Sequence, residues 1–214
     1  DVEQAPYGEH PSNLGAYLAR RIGDLVGIPA FFVDPVCVDE MTEVAHVSGF
    51  AEFRRLSQFH ALNQKSVGRK AARRLGKSYE EARLIVCHLG GGVSVAAHDH
   101  GRVVDVFNVK DEGAMGMDRG GGLPVNQLID YCYAGRSREE VKRTLGRRSG
   151  MLSYVGTTDF REICARVVSG DERFTAAYRA LVYQLAKDIG AMAAVLHFEV
   201  DAIVYTGGMA YEQF

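Results

Sequence analysis

The sequence predicts an α/β protein, on three observations. Between Arg83 and Val109 (RLIVCHLGGGVSVAAHDHGRVVDVFNV), apolar runs of period two are broken at Gly90-Gly91-Gly92 and at Asp99-His100-Gly101. That pattern reads as strand, tight turn, strand, turn, strand. On either side, apolar residues recur at helical spacing, most extensively from Arg173 to Phe198. A last apolar run, Asp201 to Tyr205, enters a second glycine turn at Thr206-Gly207-Gly208.

Length and composition bound the answer. The 214 residues allow one large domain or two small ones. Lys and Arg number 25 against 27 Asp and Glu, which argues against a nucleic-acid partner held by a basic surface. No apolar run is long enough to cross a bilayer, and no signal peptide is visible. Cys37, Cys87, Cys132 and Cys164 form no CxxC pair, so they read as reduced core residues of a cytoplasmic protein. The chain lacks an initiating Met and stops just after a strand-to-loop signal. It reads as a fragment missing sequence at both ends.

Taken in order, residues 1–11 are loop-like. Ser12 or Asn13 is placed to cap a helix through Leu14, Tyr17, Leu18, Ile22 and Leu25, which Gly27 stops. Ala30-Phe31-Phe32-Val33 predicts a short buried strand with Asp34 at its end, since Pro35 denies its predecessor a helical backbone. Ala61 to Leu75 predicts a basic helix whose Lys and Arg form a solvated face. A lobe boundary is expected near Ser78–Arg83, dividing residues 1–82 from 83–214. After the three strands, Asp111 to Gly122 is a long glycine-rich loop, and such loops are often functional. Pro124 opens a helix to about Tyr133, and Ser137-Arg138-Glu139-Glu140 is a capping box for a helix ending at Gly146. Gly146 to Ser153 is expected to be loop. Thr158 or Asp159 caps a further helix, the long helix follows, and Asp201 to Tyr205 predicts a buried strand.

Several motifs carry chemistry. Three glycines in one turn let backbone N–H groups approach an anion, so the tip at Gly90, Gly91 and Gly92 is a candidate phosphate contact. A dinucleotide fingerprint is rejected because the residues from Val93 alternate as a strand where a helix is required. A Walker A loop is rejected because no Gly-Lys-Ser/Thr follows. Gly207 and Gly208 form a second such turn, and the pair suggests one nucleotide held between two turns. Arg119 stands among glycines, with little to pack on, free to reach a charged ligand or simply solvent. His60 and His88 each sit at an element boundary. Singly, each is more often a structural hydrogen-bonder than a catalytic group. Asp34 is open to three readings: a base, a ligand to a metal-bound water, or a turn residue before Pro35.

Five blocks occur together: Val33-Asp34-Pro35-Val36, Phe59-His60-Ala61-Leu62-Asn63-Gln64-Lys65, His88-Leu89-Gly90-Gly91-Gly92, Arg119-Gly120-Gly121-Gly122-Leu123-Pro124 and Thr206-Gly207-Gly208. With Ser12-Asn13-Leu14-Gly15 and Ala191-Met192-Ala193-Ala194-Val195-Leu196, they resemble the acetokinase family, and within it the butyrate kinases. The resemblance spans essentially the whole chain. It implies a two-lobe actin-like ATPase fold with ribonuclease H-like lobes, the first lobe incomplete here and the second truncated at its C-terminus. It implies ATP and Mg2+, with a small carboxylate as substrate, neither nucleic acid nor membrane as partner, and a homo-oligomer. Catalytic roles fall on Arg119, His60, His88 and Asp34, the last also a metal contact through water. Gly90, Gly91, Gly92, Asp159, Phe160, Arg161, Gly207 and Gly208 fall to the nucleotide. The family's Asn-Pro-Gly-Ser-type loop, a further Arg and a C-terminal acidic residue have no counterpart in the 214 residues. Gly120 and Ala114-Met115-Gly116-Met117 depart from the relatives' pattern, which leaves the acyl pocket open.

The implied reaction joins a short-chain carboxylate, butyrate or a branched relative, to the γ-phosphoryl group of ATP, giving an acyl phosphate. A carboxylate is ionised at neutral pH, with a pKa of about 4, and needs no general base. A hydroxyl-directed kinase of the same superfamily would need one, and Asp34 is its candidate. A catalytically incomplete nucleotide-binding fragment is the further alternative. Of His60 and His88, the sequence does not decide which meets the transferred group.

Overall fold

Residues 14–211 of the chain are described by a computed structural model. It is built on one four-stranded sheet, in the order β3-β2-β1-β4. β1 (Arg83–Leu89), β2 (Val93–Asp99) and β3 (Arg102–Phe107) form the expected antiparallel meander. β4 (Ala202–Thr206) lies on the other side of β1 and runs parallel to it, with Leu84 opposite Ala202 and His88 opposite Thr206. The helices are α1 (Gly15–Val26), α2 (Ala61–Arg74), α3 (Val125–Tyr133), α4 (Arg138–Arg147), α5 (Gly150–Val155), α6 (Phe160–Val168) and α7 (Glu172–Val195).

Both sheet faces are covered, which is why β1 and β2 are apolar almost throughout. On one face Ile85, Cys87, Val95 and Ala97 pack against Met151 of α5, Ile163 of α6, and Phe174, Leu181 and Met192 of α7. On the other face Leu84 and Val86 meet Ala72 of α2 and Tyr79. Ala96, Val103 and Val106 meet Met41, Ala45, Phe59 and Ala61. The result is three layers, helix on sheet on helix and loop. Parallel pairing of β1 with β4 demands a long crossover, and α3 to α7 supply it.

Most helix boundaries follow the sequence. α1 ends at Gly27 in the left-handed region at φ 69°. The expected caps Ser12 and Asn13 lie outside the described residues. Ser137 Oγ accepts from Glu140 N at the start of α4, and Asp159 accepts from Arg161 N and Glu162 N at the start of α6.

Five expectations are corrected. Ala30–Val33 is not a strand: Phe31 is 80% exposed, and the segment pairs with no strand among the described residues. Asp34 is accordingly no strand end but takes a left-handed φ of 44°. Gly146 to Ser153 is not a loop, because α5 begins at Gly150, too short a helix to declare a period in sequence. β4 is an edge strand with Ile203 and Tyr205 exposed rather than a buried one. On α2, Lys65 is buried and bonds Glu40 Oε1 at 2.5 Å, so the basic face is not wholly solvated.

A half-buried arginine fixes the loops on the α2 side to β3. Arg55 donates from Nε and Nη2 to the two oxygens of Glu112, at 2.9 and 3.1 Å. From Nη1 it reaches Asp105 at 3.0 Å and the Ala45 carbonyl at 2.7 Å, and from Nη2 the Val106 carbonyl at 2.8 Å. Glu112 also accepts from Asn108 N, so this cluster anchors the entrance to the glycine-rich loop. Arg55→Ala strands two part-buried carboxylates and should cost about 3–5 kcal/mol of stability in urea unfolding. A loss within the surface-substitution range, about 0.5 kcal/mol, would contradict this role.

Candidate active site at the ends of the parallel strands

Because β1 and β4 are parallel neighbours, the loops after Leu89 and Thr206 open at the same sheet edge. In open α/β sheets this edge is where ligands bind. Gly90 N donates to Gly92 O at 3.2 Å and closes the hairpin tip. The glycine-rich loop docks on that tip, with Met117 N donating to Gly91 O at 3.0 Å. At Gly92 a Cβ would stand 2.7 Å from Arg119 Nη1 and 2.3 Å from Val109 Cγ2. Glycine there is what seats the Arg119 guanidinium against the hairpin. Gly207, at φ 88°, does the same for the other turn: a Cβ would meet Leu89 O at 2.3 Å. The glycines therefore let loop pack on loop, and the small tip is a consequence of that packing.

The two histidines meet beside this tip. His60, the residue that opens α2, stacks on His88 at the end of β1, with ring centroids 3.6 Å apart and planes 6° from parallel. His60 Nδ1 lies 2.8 Å from Ser94 Oγ on β2. His88 Nδ1 donates to Asn63 Oδ1 at 2.8 Å. Burial pulls the His88 pKa below the usual histidine range. A neutral His88 suits the stack, since two face-to-face imidazolium rings would repel.

Asp34 lies elsewhere. Its carboxylate faces α2, 3.8 Å from Lys65 Nζ and 3.7 Å from Arg69 Nη1, deeper along the helix than His60. Its Oδ2 is buried and lacks a hydrogen-bond partner in the structure. An orphaned carboxylate oxygen fits an outer contact to a hydrated cation. Among the described residues no group of three His, Cys, Asp or Glu side chains could hold a metal by itself. Mg2+ tolerates that, taking one or two carboxylates and filling its remaining positions with water and phosphate.

Across Leu89 from the histidines is an apolar cleft of about 270 Å3, lined among others by Leu89, Phe160, Tyr178, Leu185, Tyr205 and Met209. It sets Phe160 beside the turn that carries Gly207 and Gly208. Asp159, by contrast, uses its carboxylate to cap α6, and Arg161 is exposed.

Three positioning residues escaped the sequence reading. α7 grips the start of the glycine-rich loop through Asp188 Oδ2, which accepts from Ala114 N at 2.6 Å, and Gln184 Oε1, which accepts from Met115 N at 2.9 Å. The available signal was polar residues four apart on the face that carries Leu181 and Met192. The third, Ser94, sits on β2 amid valines and alanines and offers no such signal.

The sheet, with its glycine turns at the carboxyl ends of neighbouring parallel strands, belongs to the actin-like ATPase fold. The sequence profile described as the acetokinase family matches residues 50–212, and the chain belongs to that family. It is 48% identical over 212 residues to a probable butyrate kinase of Listeria monocytogenes, covering 98% of this chain and 60% of that protein. A probable butyrate kinase of Listeria innocua is 47% identical over the same coverage. The chain thus spans 60% of the length of these curated relatives. Acetate kinase from Porphyromonas gingivalis superposes with a TM-score of 0.84 at 29% identity, covering 99% of this chain and 56% of that one. A propionate kinase from Francisella tularensis shares the fold, with a TM-score of 0.75 at 24% identity over 92% of this chain and 53% of that one.

Asp188 makes the grip on the loop pH-sensitive. Burial raises its carboxyl pKa to about 6, against the opposing pull of the Ala114 N–H and Lys187. The native state therefore holds this proton more tightly than the unfolded chain. The stability so contributed is present below about pH 4 and is lost as pH rises through about 6. Asp188→Asn keeps an acceptor for Ala114 N and removes the titration. Urea midpoints at pH 4.5 and 7 should fall further in the wild type than in Asp188→Asn. Parallel pH dependence in the two would contradict the assignment.

Proposed function

We propose that the protein carrying this chain transfers the γ-phosphoryl group of ATP to a short-chain carboxylate, giving ADP and an acyl phosphate, and runs the reverse reaction. The observation that carries this reading is the Arg119 guanidinium seated on Gly92 at the tip of the hairpin whose first strand carries His88, stacked on His60 from the start of α2. The names of the relatives, butyrate, acetate and propionate kinases, support the acceptor class.

The chemistry asks for little covalent help. A carboxylate oxygen attacks the γ-phosphorus, the bond from that phosphorus to the β,γ-bridging oxygen breaks, and ADP leaves with the electron pair. The nucleophile is already ionised, so the barrier is the approach of one anion to another. In this reading Arg119 and His60 donate to the phosphoryl oxygens, and N–H groups of Gly90 to Gly92 hold the β- and γ-phosphates. Asp34 would hold Mg2+ through water, and the bound ion would offset phosphate charge. Asp34 is poorly placed as a hydroxyl-activating base, because its oxygens face Lys65 and Arg69. The apolar cleft at Phe160 and Met209 takes the adenine side of the nucleotide, with Gly207 and Gly208 beside it. Asp159 contributes by holding Phe160 at the start of α6, and Arg161 reaches the nucleotide from solvent.

In the same reading residues 83–214 form the second lobe and residues 1–82 the remainder of the first, with α2 also covering the second lobe's sheet. The protein works in the cytoplasm as a homo-oligomer. Cys37, Cys87 and Cys132 are free thiols, and no helix among the described residues is long and apolar enough to cross a membrane.

Hydroxylamine trapping of the acyl phosphate tests the reading. The full-length gene product with Mg-ATP should yield hydroxamate from acetate, butyrate or isobutyrate, and the 214 residues alone only background. Phosphorylation of a polyol with no activity on any carboxylate would overturn it. Arg119→Ala should lower kcat by roughly a thousand-fold without loss of fold. A fully active variant would remove Arg119 from the transfer step.

A further inference from the structure

A line of buried polar side chains runs inward from His60 between α2 and the sheet. Ser94 is 1% exposed, Gln64 and His98 are 0%, and Tyr79 is 5%. Every link is within hydrogen-bond distance: His60 to Ser94, Ser94 to Gln64, Gln64 to His98, His98 to Tyr79. Unpaired polar groups at such depth cost free energy, so each link must have a donor on one side and an acceptor on the other.

That requirement fixes the protons from Tyr79 to Gln64 and leaves Ser94 one proton to give. Gln64 Nε2 donates to the Ser94 carbonyl at 3.1 Å, which identifies the amide nitrogen and leaves Gln64 Oε1 as an acceptor. His98 Nε2, 3.1 Å from Oε1, must therefore carry a hydrogen. Burial, together with Lys65 and Arg69, pushes the His98 pKa down to about 3, so the ring is neutral and its Nδ1 is bare. Tyr79 donates its hydroxyl proton to that nitrogen at 2.7 Å. At the other end the second hydrogen on Gln64 Nε2 goes to Ser94 Oγ at 2.9 Å. Ser94 then turns its own proton to His60 Nδ1 at 2.8 Å.

We propose that Tyr79, His98, Gln64 and Ser94 form a buried relay that holds His60 as the tautomer with its proton on Nε2. They are positioning residues, and none of them touches substrate. The consequence for catalysis rests on the reading of His60 as a ligand of the transferred phosphoryl group. A proton on Nε2 makes that nitrogen a donor to phosphoryl oxygen, whereas a lone pair there would repel it. The tautomer itself does not rest on that reading.

Two-bond proton–nitrogen correlation spectra of the full-length protein, labelled with 15N-histidine, test the relay. The His60 signals are assigned by their loss in His60→Gln. In the wild type, His60 Nδ1 should resonate as an unprotonated nitrogen and Nε2 as a protonated one, and His98 should show the same pattern. In Ser94→Ala, His60 should shift to a mixture of tautomers, and kcat should fall about ten-fold with both KM values little changed. Ser94→Thr, which keeps the hydroxyl, should restore both. A wild-type His60 protonated on Nδ1, or an unaltered tautomer in Ser94→Ala, overturns the relay. A changed tautomer with unchanged kcat supports the relay and overturns the part given to His60 in phosphoryl transfer.

Discussion

Parallel pairing of β1 with β4 is the constraint from which the candidate site follows. Two parallel strands deliver their following turns to one edge, and here both turns are glycine-rich. The crossover that parallel pairing requires is also put to use. Its first segment is the loop that carries Arg119, and its last is α7, which turns back and holds that loop through Asp188 and Gln184. One topological requirement thus supplies the two glycine turns, the arginine and the arginine's support.

The electrostatics of the edge suit an anion meeting an anion. Arg119 brings a permanent charge, and beside it His88, whose pKa burial lowers, adds a ring stacked on His60. One carboxylate stands at the tip itself, Asp118, whose Oδ1 is 3.9 Å from Arg119 Nε and lies beside Gly91. Others are paired away from it: Glu112 and Asp105 are bound by Arg55, and Glu40 by Lys65.

Local patterns were legible in the sequence because local physics decides them. The meander from Arg83 to Phe107 shows its period of two, and Asp159 and Ser137 cap as their side chains dictate. Features that depend on distant partners were not legible. Ala30–Val33 has the composition of a strand, but pairing decides, and no described strand meets it. Lys65 looks like any lysine on a basic helix until Glu40 and Asp34 arrive from a loop more than twenty residues upstream. Resemblance named His60, His88 and Arg119. Their mutual geometry, with Ser94 and Asp188 behind it, is tertiary and has no signature in one chain.

The central claim is that the hairpin tip, Arg119 and His60 surround one transferring phosphoryl group. A crystal structure of the full-length protein with Mg2+, ADP, aluminium fluoride and butyrate tests it most directly. The account predicts the fluoride group between ADP and the carboxylate, in contact with Arg119, His60 Nε2 and N–H groups of Gly90 to Gly92. It predicts adenine in the cleft beside Phe160 and Met209. A phosphate chain bound away from the hairpin, or Asp34 set against the acceptor with Arg119 turned out to solvent, would contradict it.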